Sequence, residues 1–409
     1  MRIIFFANKM PDPCGAFFHD YWLARVLQAR GHTILFVTVA SKFPRSGVYR
    51  GVPFVYYENA GKDLGAAHVW SSPHFPFLGT VRRLNEQYEK PLVVTMHFGE
   101  DRQSITNCNR SGNWGEFLWF VSKHISDKIL ENPIASSFKE TRIVRPILIE
   151  SELRLFTKPE RPTGDCITLI NANILKGLSI FVALAQKFPN RKFLGVKPYY
   201  NKINVPNLPN IEWMDIQDDI RVVLRKTRIL LVPSLYESWG RVAFEAMYNG
   251  IPTLYTRPMV DNIQYPSGST EGMRDWIQDN GIQCDRNTLD DWARGIQSLD
   301  NPSTYNDYSD RSYNCTADLN IFSEAGVIEQ KFIEYAMKFP SPDKSKSGAP
   351  TAITQQTMRV GPNRFMGGAV QRRQPPPPVP VAPQAQGVRP TPPSQPRLGF
   401  HGGRFGAKK

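Results

Sequence analysis

Residues 232–256 read VPSLYESWGRVAFEAMYNGIPTLYT, and the rest of the chain is best understood outward from them. Just before them, Ile229-Leu230-Leu231-Val232 is an apolar run with β-branched ends. Such a run suits a strand buried on both faces of a parallel sheet. Pro233 stops it, since proline has no N–H to give to a ladder. Ser238 is placed to N-cap a following helix, and Gly240 lets the backbone approach a ligand closely. Val242, Phe244, Ala246 and Met247 supply the buried side of that helix. Gly250-Ile251-Pro252 ends it, and the next strand begins at Thr253–Tyr255. The unit is strand–turn–helix–strand, the building block of an α/β protein.

Two carboxylates mark this unit, Glu237 in the turn and Glu245 in the helix. Eight residues of helix make a little over two turns at about 3.6 residues per turn, which sets both on one side. A helix N-terminus between them presents free N–H groups and partial positive charge, and so suits a phosphate. An ionised carboxylate further along has acceptor capacity for two ribose hydroxyls. The plain alternative is a pair of solvated charges at a helix end. The glycine and serine in the turn favour the ligand site.

Glu237 and Glu245 within PSLYESWGRVAFEAMYNGIP resemble the E-x7-E signature of retaining GT-B glycosyltransferases, close to glycosyltransferase family 4. The resemblance implies an α/β GT-B fold, two Rossmann-like domains facing across a cleft. By position it implies Glu245 for the nucleotide ribose and Glu237 against the donor sugar. It also implies backbone contacts from Trp239, Gly240 and Arg241, with tryptophan where the family more often has phenylalanine.

The 409 residues suggest two or three domains, and 41% apolar with 11% aromatic residues is ample for cores. No run approaches the roughly 20 apolar residues of a membrane-spanning helix. The opening MRIIFFANKMPDP reads as a strand and lacks the long apolar region of a secretion signal. The five cysteines are spread out and include no C-x-x-C, which fits reduced thiols in a cytoplasm better than disulfides or zinc. The net charge of +13 belongs largely to the tail: from Ser341 onward eleven Lys and Arg face one acid, Asp343.

Taken in order, Arg2–Phe6 is a first strand, Ala16–Arg30 a helix and His32–Val39 a second strand. The loop between contains Cys14-Gly15 and no G-x-G-x-x-G, so a nicotinamide or flavin site is not supported. The resemblance sets Gly15 near the donor phosphates. Further strands are expected at Val52–Tyr57, Ala66–Trp70, Leu92–Met96, Phe117–Val121 and Ile143–Ile147, with helices at Phe77–Glu89 and Lys123–Asn132, the latter capped by Ser122. His97 follows a strand end, where an imidazole can bond a sugar or act as a base. The family often has a histidine there, close to the donor sugar. Glu100 and Asp101 are further acid/base candidates. His19, His68, His74 and His124 read as structural.

Residues 156–164, FTKPERPTG, read as a linker between an acceptor domain at 1–157 and a nucleotide-sugar domain at 158–339. The second domain opens with strand Cys166–Ile170, then a turn carrying Lys176-Gly177, then helix Leu178–Lys187. Lys176 can hold a diphosphate as a point charge and matches the family's K-G pair. The family's additional arginine is absent, with Asn171 and Asn173 in its place; Lys197 is a candidate replacement. Ile211-Glu212-Trp213 resembles a strand packing near the nucleobase. Helices follow at Asp215–Arg225, within Asp261–Gly281, at Leu289–Leu299 and at Phe322–Phe339; in GT-B enzymes the last crosses back to the first domain.

The segment 340–409 holds 13 of the 34 prolines after Ser341 and few aliphatic residues, the composition of a disordered tail. Its arginines suit loose contact with a polyanion, nucleic acid or an anionic membrane; a solubilising tether is the alternative. The sequence therefore reads as an enzyme that moves a sugar from a UDP- or GDP-sugar to an acceptor, with retention and without metal or other cofactor. The acceptor stays open between a hydroxylated nucleic-acid base and a polysaccharide or glycolipid. A GT-B scaffold without turnover and a nucleotide-sugar epimerase are the alternatives.

Overall fold

The computed structural model describes residues 1–12, 14–40, 45–75, 77–98, 115–131, 133, 137–155, 160–199, 204–258, 270–341 and 343–346. Glu100, Asp101, the linker residues 156–159, the loop at 261–269 and the tail from 347 lie outside the described residues.

The first sheet has eight strands: β1 (Arg2–Ala7), β2 (Thr33–Thr38), β3 (Ser46–Tyr49), β4 (Val52–Tyr56), β5 (Val69–Pro73), β6 (Leu92–Met96), β7 (Glu116–Phe120) and β8 (Glu140–Ile143). Their order is β3-β4-β2-β1-β5-β6-β7-β8, with only the β3–β4 pair antiparallel. The second sheet has six strands: β9 (Cys166–Leu169), β10 (Phe193–Val196), β11 (Ile211–Met214), β12 (Thr227–Val232), β13 (Thr253–Thr256) and β14 (Ile282–Cys284). Their order is β11-β10-β9-β12-β13-β14, parallel throughout. β5, β6, β7 and β9 are buried at every residue, as strands covered on both faces must be.

Strand order reverses at one place in each sheet, between β1 and β5 and between β9 and β12. At such a switch point the connecting loops part to opposite faces and leave a crevice beyond the carboxyl ends of the strands.

Around the first sheet lie α1 (Gly15–Ala29), α2 (Gly61–Ala66), α3 (Leu78–Tyr88), α4 (Lys123–Leu130) and α5 (Glu150–Leu153). Ser122 caps α4 as expected, its Oγ accepting from the Ile125 N–H at 3.3 Å. Around the second lie α6 (Leu178–Lys187), α7 (Ile220–Leu224), α8 (Arg241–Met247), α9 (Glu271–Ile277), α10 (Leu289–Ser298), α11 (Pro302–Asp318) and α12 (Glu324–Lys338). α12 does cross back. Its Ala325, Ile328, Phe332 and Tyr335 join the core of Ile3, Phe5 and Trp119, and Tyr335 stacks on Phe117 with ring centroids 3.5 Å apart.

Several expectations differ from the structure; the strand expected at Ala66–Trp70 is β5 (Val69–Pro73), with Ala66 ending α2. β8 lies at Glu140–Ile143, ahead of the expected Ile143–Ile147. The helix expected at Asp215–Arg225 is only α7, because Asp219 caps it by accepting from the Arg221 N–H at 3.0 Å. α11 was not foreseen, since PSTYNDYSDRSYNCTAD shows little apolar periodicity. Its signals were local ones: Pro302 in the first turn, and Asn301 accepting from the N–H groups of Ser303 and Thr304 at 2.9 and 3.2 Å.

Candidate active site

The switch point of the second sheet is flanked by the loops after β9 and β12, and these carry Lys176 and Glu237. Gly177 has φ +85°, and a Cβ there would meet Pro233 at 2.5 Å, so glycine is what lets the two loops touch. Lys176 Nζ donates to Glu237 Oε1 at 2.5 Å, and Ser234 Oγ donates to the same oxygen at 2.7 Å. The Lys176 N–H donates to Asn173 Oδ1 at 3.0 Å, and Asn173 Nδ2 donates to Asn171 Oδ1 at 3.1 Å. The two asparagines that stand in place of an arginine thus shape the turn that aims Lys176. Lys197 is paired with Asp215 at 3.0 Å.

Helix α8 begins later than expected. Its N-cap is Gly240, left-handed at φ +79°, and not Ser238. A Cβ on Gly240 would fall 2.1 Å from Met273 Cγ, because α9 packs directly against the turn. Glu237 therefore lies on a loop, and the two glutamates do not share one helix face. Trp239 is buried against Trp276 and Phe244, with centroids 5.4 and 5.3 Å away. Its carbonyl accepts from Trp276 Nε1 at 2.8 Å. Arg241 Nε donates to Glu245 Oε1 at 2.6 Å, so each glutamate is held by a cation of its own lobe.

Arg241 also reaches the first lobe. Its guanidinium lies 5.2 Å from the ring centre of Phe18 and 5.9 Å from that of Trp22, both on α1. On the same side, Phe98 approaches Tyr236, with centroids 6.0 Å apart. The two loop systems thus face one another across a narrow cleft.

On the first lobe, Gly15 opens α1, is exposed, and has nothing within 4 Å of a built Cβ. His97 follows β6 and is buried. Its N–H donates to His74 Nδ1 at 3.1 Å, and its Nε2 has no hydrogen-bond partner among the described residues. Its ring lies 5.4 Å from that of His19, whose Nδ1 accepts from the Ile147 N–H at 3.2 Å. Burial, with His19 and His74 nearby, holds His97 well below the ordinary imidazole range. Burial and then Arg241 bring His19 down to about 3. Both rings are neutral at physiological pH. His19 and His74 therefore belong around His97, a grouping that three distant sequence positions do not reveal. A further residue outside the sequence reading is Arg286, whose Nε donates to the Pro233 carbonyl at 3.1 Å and whose Nη2 lies 3.5 Å from the Ile174 carbonyl. It ties together the two loops of the switch point from the β14 side.

A family model described as glycosyl transferases group 1 matches residues 206–314, which include Glu237 and Glu245. The structure is similar to sucrose-phosphate synthase from Thermosynechococcus elongatus, at TM-score 0.65 and 14% identity over 82% of this chain and 99% of that one. It is also similar to HepE of Anabaena in complex with UDP and glucose, at 0.62 and 13% over 81% and 99%. Against trehalose-6-phosphate synthase the values are 0.56 and 9% over 82% and 99%. The fold is GT-B. No curated protein matches the chain by sequence. Within this frame His19 on α1 lies near enough to Arg241 to feel its charge, and Phe98, beside His74, meets Tyr236. No helix among the described residues is long and apolar enough to cross a membrane.

Proposed function

We propose that the protein is a cytoplasmic glycosyltransferase that moves a sugar from a UDP- or GDP-sugar to a hydroxyl acceptor, with retention and without a metal. The observation that carries this is the paired set Lys176–Glu237 and Arg241–Glu245 at the second lobe's switch point, within the segment matched by the group 1 model. A nucleotide diphosphate has the chemistry to exchange with both pairs. Its phosphates take Lys176 from Glu237, which frees that carboxylate for the sugar's hydroxyls. Its ribose hydroxyls donate to Glu245, which can accept from them and from Arg241 together. The acceptor oxygen then bonds to the anomeric carbon as the bond from that carbon to the diphosphate oxygen breaks. The diphosphate leaves with the electron pair, and the acceptor's proton passes to it. Lys176 neutralises the growing charge on the leaving group.

Neutral His97, whose buried Nε2 has no partner among the described residues, offers a hydrogen bond to the sugar rather than a charge. Titration calorimetry across UDP-, GDP- and ADP-sugars, followed by product analysis with an acceptor, tests the reading. Saturable binding of one donor and sugar transfer are expected. Isomerised free donor would mean an epimerase, and no donor binding would leave a GT-B scaffold.

A further inference from the structure

Arg286 follows β14 and is half-buried at the switch point of the second sheet. Other sheltered arginines face carboxylates: Arg82 faces Glu116, Arg154 faces Glu150 and Arg241 faces Glu245. Arg286 has no carboxylate partner among the described residues, and burial lowers its pKa from the ordinary guanidinium value. Withdrawing a cation from water without an acid to meet it is a cost. What Arg286 meets instead is two backbone carbonyls, those of Pro233 at 3.1 Å from Nε and Ile174 at 3.5 Å from Nη2.

Those carbonyls belong to the turns that carry Glu237 and Lys176. The turn after β9 has little apolar anchorage at its tip, where Ile174 is 77% exposed. Hydrogen bonds hold it. The Gly177 N–H donates to the Ile174 carbonyl at 3.2 Å, and the Leu235 N–H of the other turn donates to the Leu175 carbonyl at 2.7 Å. Lys176 thus stands between two residues fixed to the turn after β12, Leu175 by that bond and Gly177 by its close approach to Pro233. Arg286 closes the set from the β14 side. A guanidinium is suited to this, since its planar fork of donors can bond two carbonyls at once, while an ammonium is a point charge on a flexible stem.

We propose that Arg286 is a positioning residue. It clamps the turns after β9 and β12 in the arrangement that aims Lys176 at Glu237, and so at the diphosphate of a nucleotide that takes the place of Glu237. It acts through Lys176 and does not touch the ligand. The proposal rests on the transferase reading above and names the group that keeps its diphosphate contact in place.

The test is a double-mutant cycle on the full chain, titrated calorimetrically with UDP and with GDP. Arg286→Met should weaken the nucleotide that the wild-type chain holds by about tenfold, the scale of one charge-assisted bond misaimed. Arg286→Lys keeps the charge and loses the fork, and should fall within about threefold of Arg286→Met. In a Lys176→Met background the loss of Arg286 should cost less than about twofold, because its effect runs through that amine. A second readout needs no nucleotide. The Lys176 side chain is 27% exposed, so its acetylation by an N-hydroxysuccinimide ester can be followed by peptide mass spectrometry. The rate should rise by about threefold or more in Arg286→Met, as the turn opens locally.

Wild-type affinity in Arg286→Met, rescue by Arg286→Lys, a full further loss in the Lys176→Met background, or an unchanged acetylation rate would each overturn the assignment. Rescue would make the charge alone the contribution, and a full further loss would put Arg286 on the phosphates themselves. Both substitutions keep an aliphatic stem at this half-buried position, and melting temperatures within about 3 °C of wild type confirm the fold. A wild-type chain that binds neither UDP nor GDP, with Lys176 still acetylated faster in Arg286→Met, would remove the transferase reading and leave the clamp on Lys176.

Discussion

The two crevices of the molecule keep their charged groups in opposite ways. In the second lobe Glu237 is held by Lys176 and Ser234, and Glu245 by Arg241. In the first lobe the Oδ1 atoms of Asp12 and Asp20 have no hydrogen-bond partner among the described residues, and the imidazoles of His19 and His97 are stripped of charge by burial. The first arrangement is built to exchange one partner for another, and suits an anionic ligand that brings its own charges. The second withdraws its titratable groups from water, which raises Asp12 and Asp20 and lowers His19 and His97. The strand order about the two switch points is alike, so the difference comes from which side chains the loops and helices after β1, β5, β6, β9 and β12 carry.

The comparison breaks most visibly at Glu237. Glu237→Gln should lower turnover by about 10²–10³, on the scale of losing one well-placed polar group at a reacting centre, and initial rates with the bound donor measure it. A drop of less than about threefold would remove Glu237 from the chemistry. Next in size is Gly240→Ala. The residue is held at φ +79° with Met273 against the place of its Cβ, so a loss of about 2–3 kcal/mol in chemical denaturation is expected. Lys176→Met should weaken nucleotide diphosphate binding by about 10–30-fold, an effect that shrinks as salt is raised. Chelation with EDTA should leave the rate unchanged, and a lost rate restored by a divalent ion would shift charge neutralisation away from Lys176.

The smallest effect sharpens the other side of the comparison. Burial, partly offset by Lys9, raises Asp12 to about 6; the Cys14 thiol and the Asp20 carboxyl, itself raised by burial, are its other titratable neighbours. A carboxyl raised in the folded state binds its proton more tightly there than in the unfolded chain. Its contribution to stability is full below the ordinary carboxylate value and is lost as pH rises through about 6. Asp12→Asn should therefore raise Tm by about 2–4 °C at pH 7.5 and change it little at pH 4, which calorimetric melts at the two pH values would read.

How much of this was legible depends on how local each feature is. Glu237, Gly240 and Glu245 lie within one strand–turn–helix, so one stretch of sequence presents them together. The helix start was misread because Ser238 has the chemistry of an N-cap, while the left-handed backbone that sets the true start at Gly240 is imposed by α9 packing from thirty residues away. The first lobe's crevice draws Phe6, Asp12, Asp20, Phe36, Pro73 and Phe75 from four separate stretches. Asp20 sits in a helix whose neighbours Phe17, Tyr21 and Leu23 are also buried, so nothing local marks it as more than one polar position among apolar ones. The grouping of His97 with His19 and His74 was hidden for the same reason. α11 shows the converse case: its core-facing side is made of Tyr305, Ser309, Ser312 and Thr316, and a helix that buries hydroxyls leaves a faint apolar period.

On the proposed function, the second lobe's paired glutamates receive a nucleotide sugar. Calorimetric titration of the full chain and of Glu245→Ala with UDP-glucose and GDP-mannose tests it most directly. Saturable binding of one donor by the wild-type chain is expected, weakened by about 10–100-fold in the variant through loss of the ribose hydrogen bonds. A wild-type chain that binds neither donor, or a Glu245→Ala chain that binds as tightly as wild type, would contradict it.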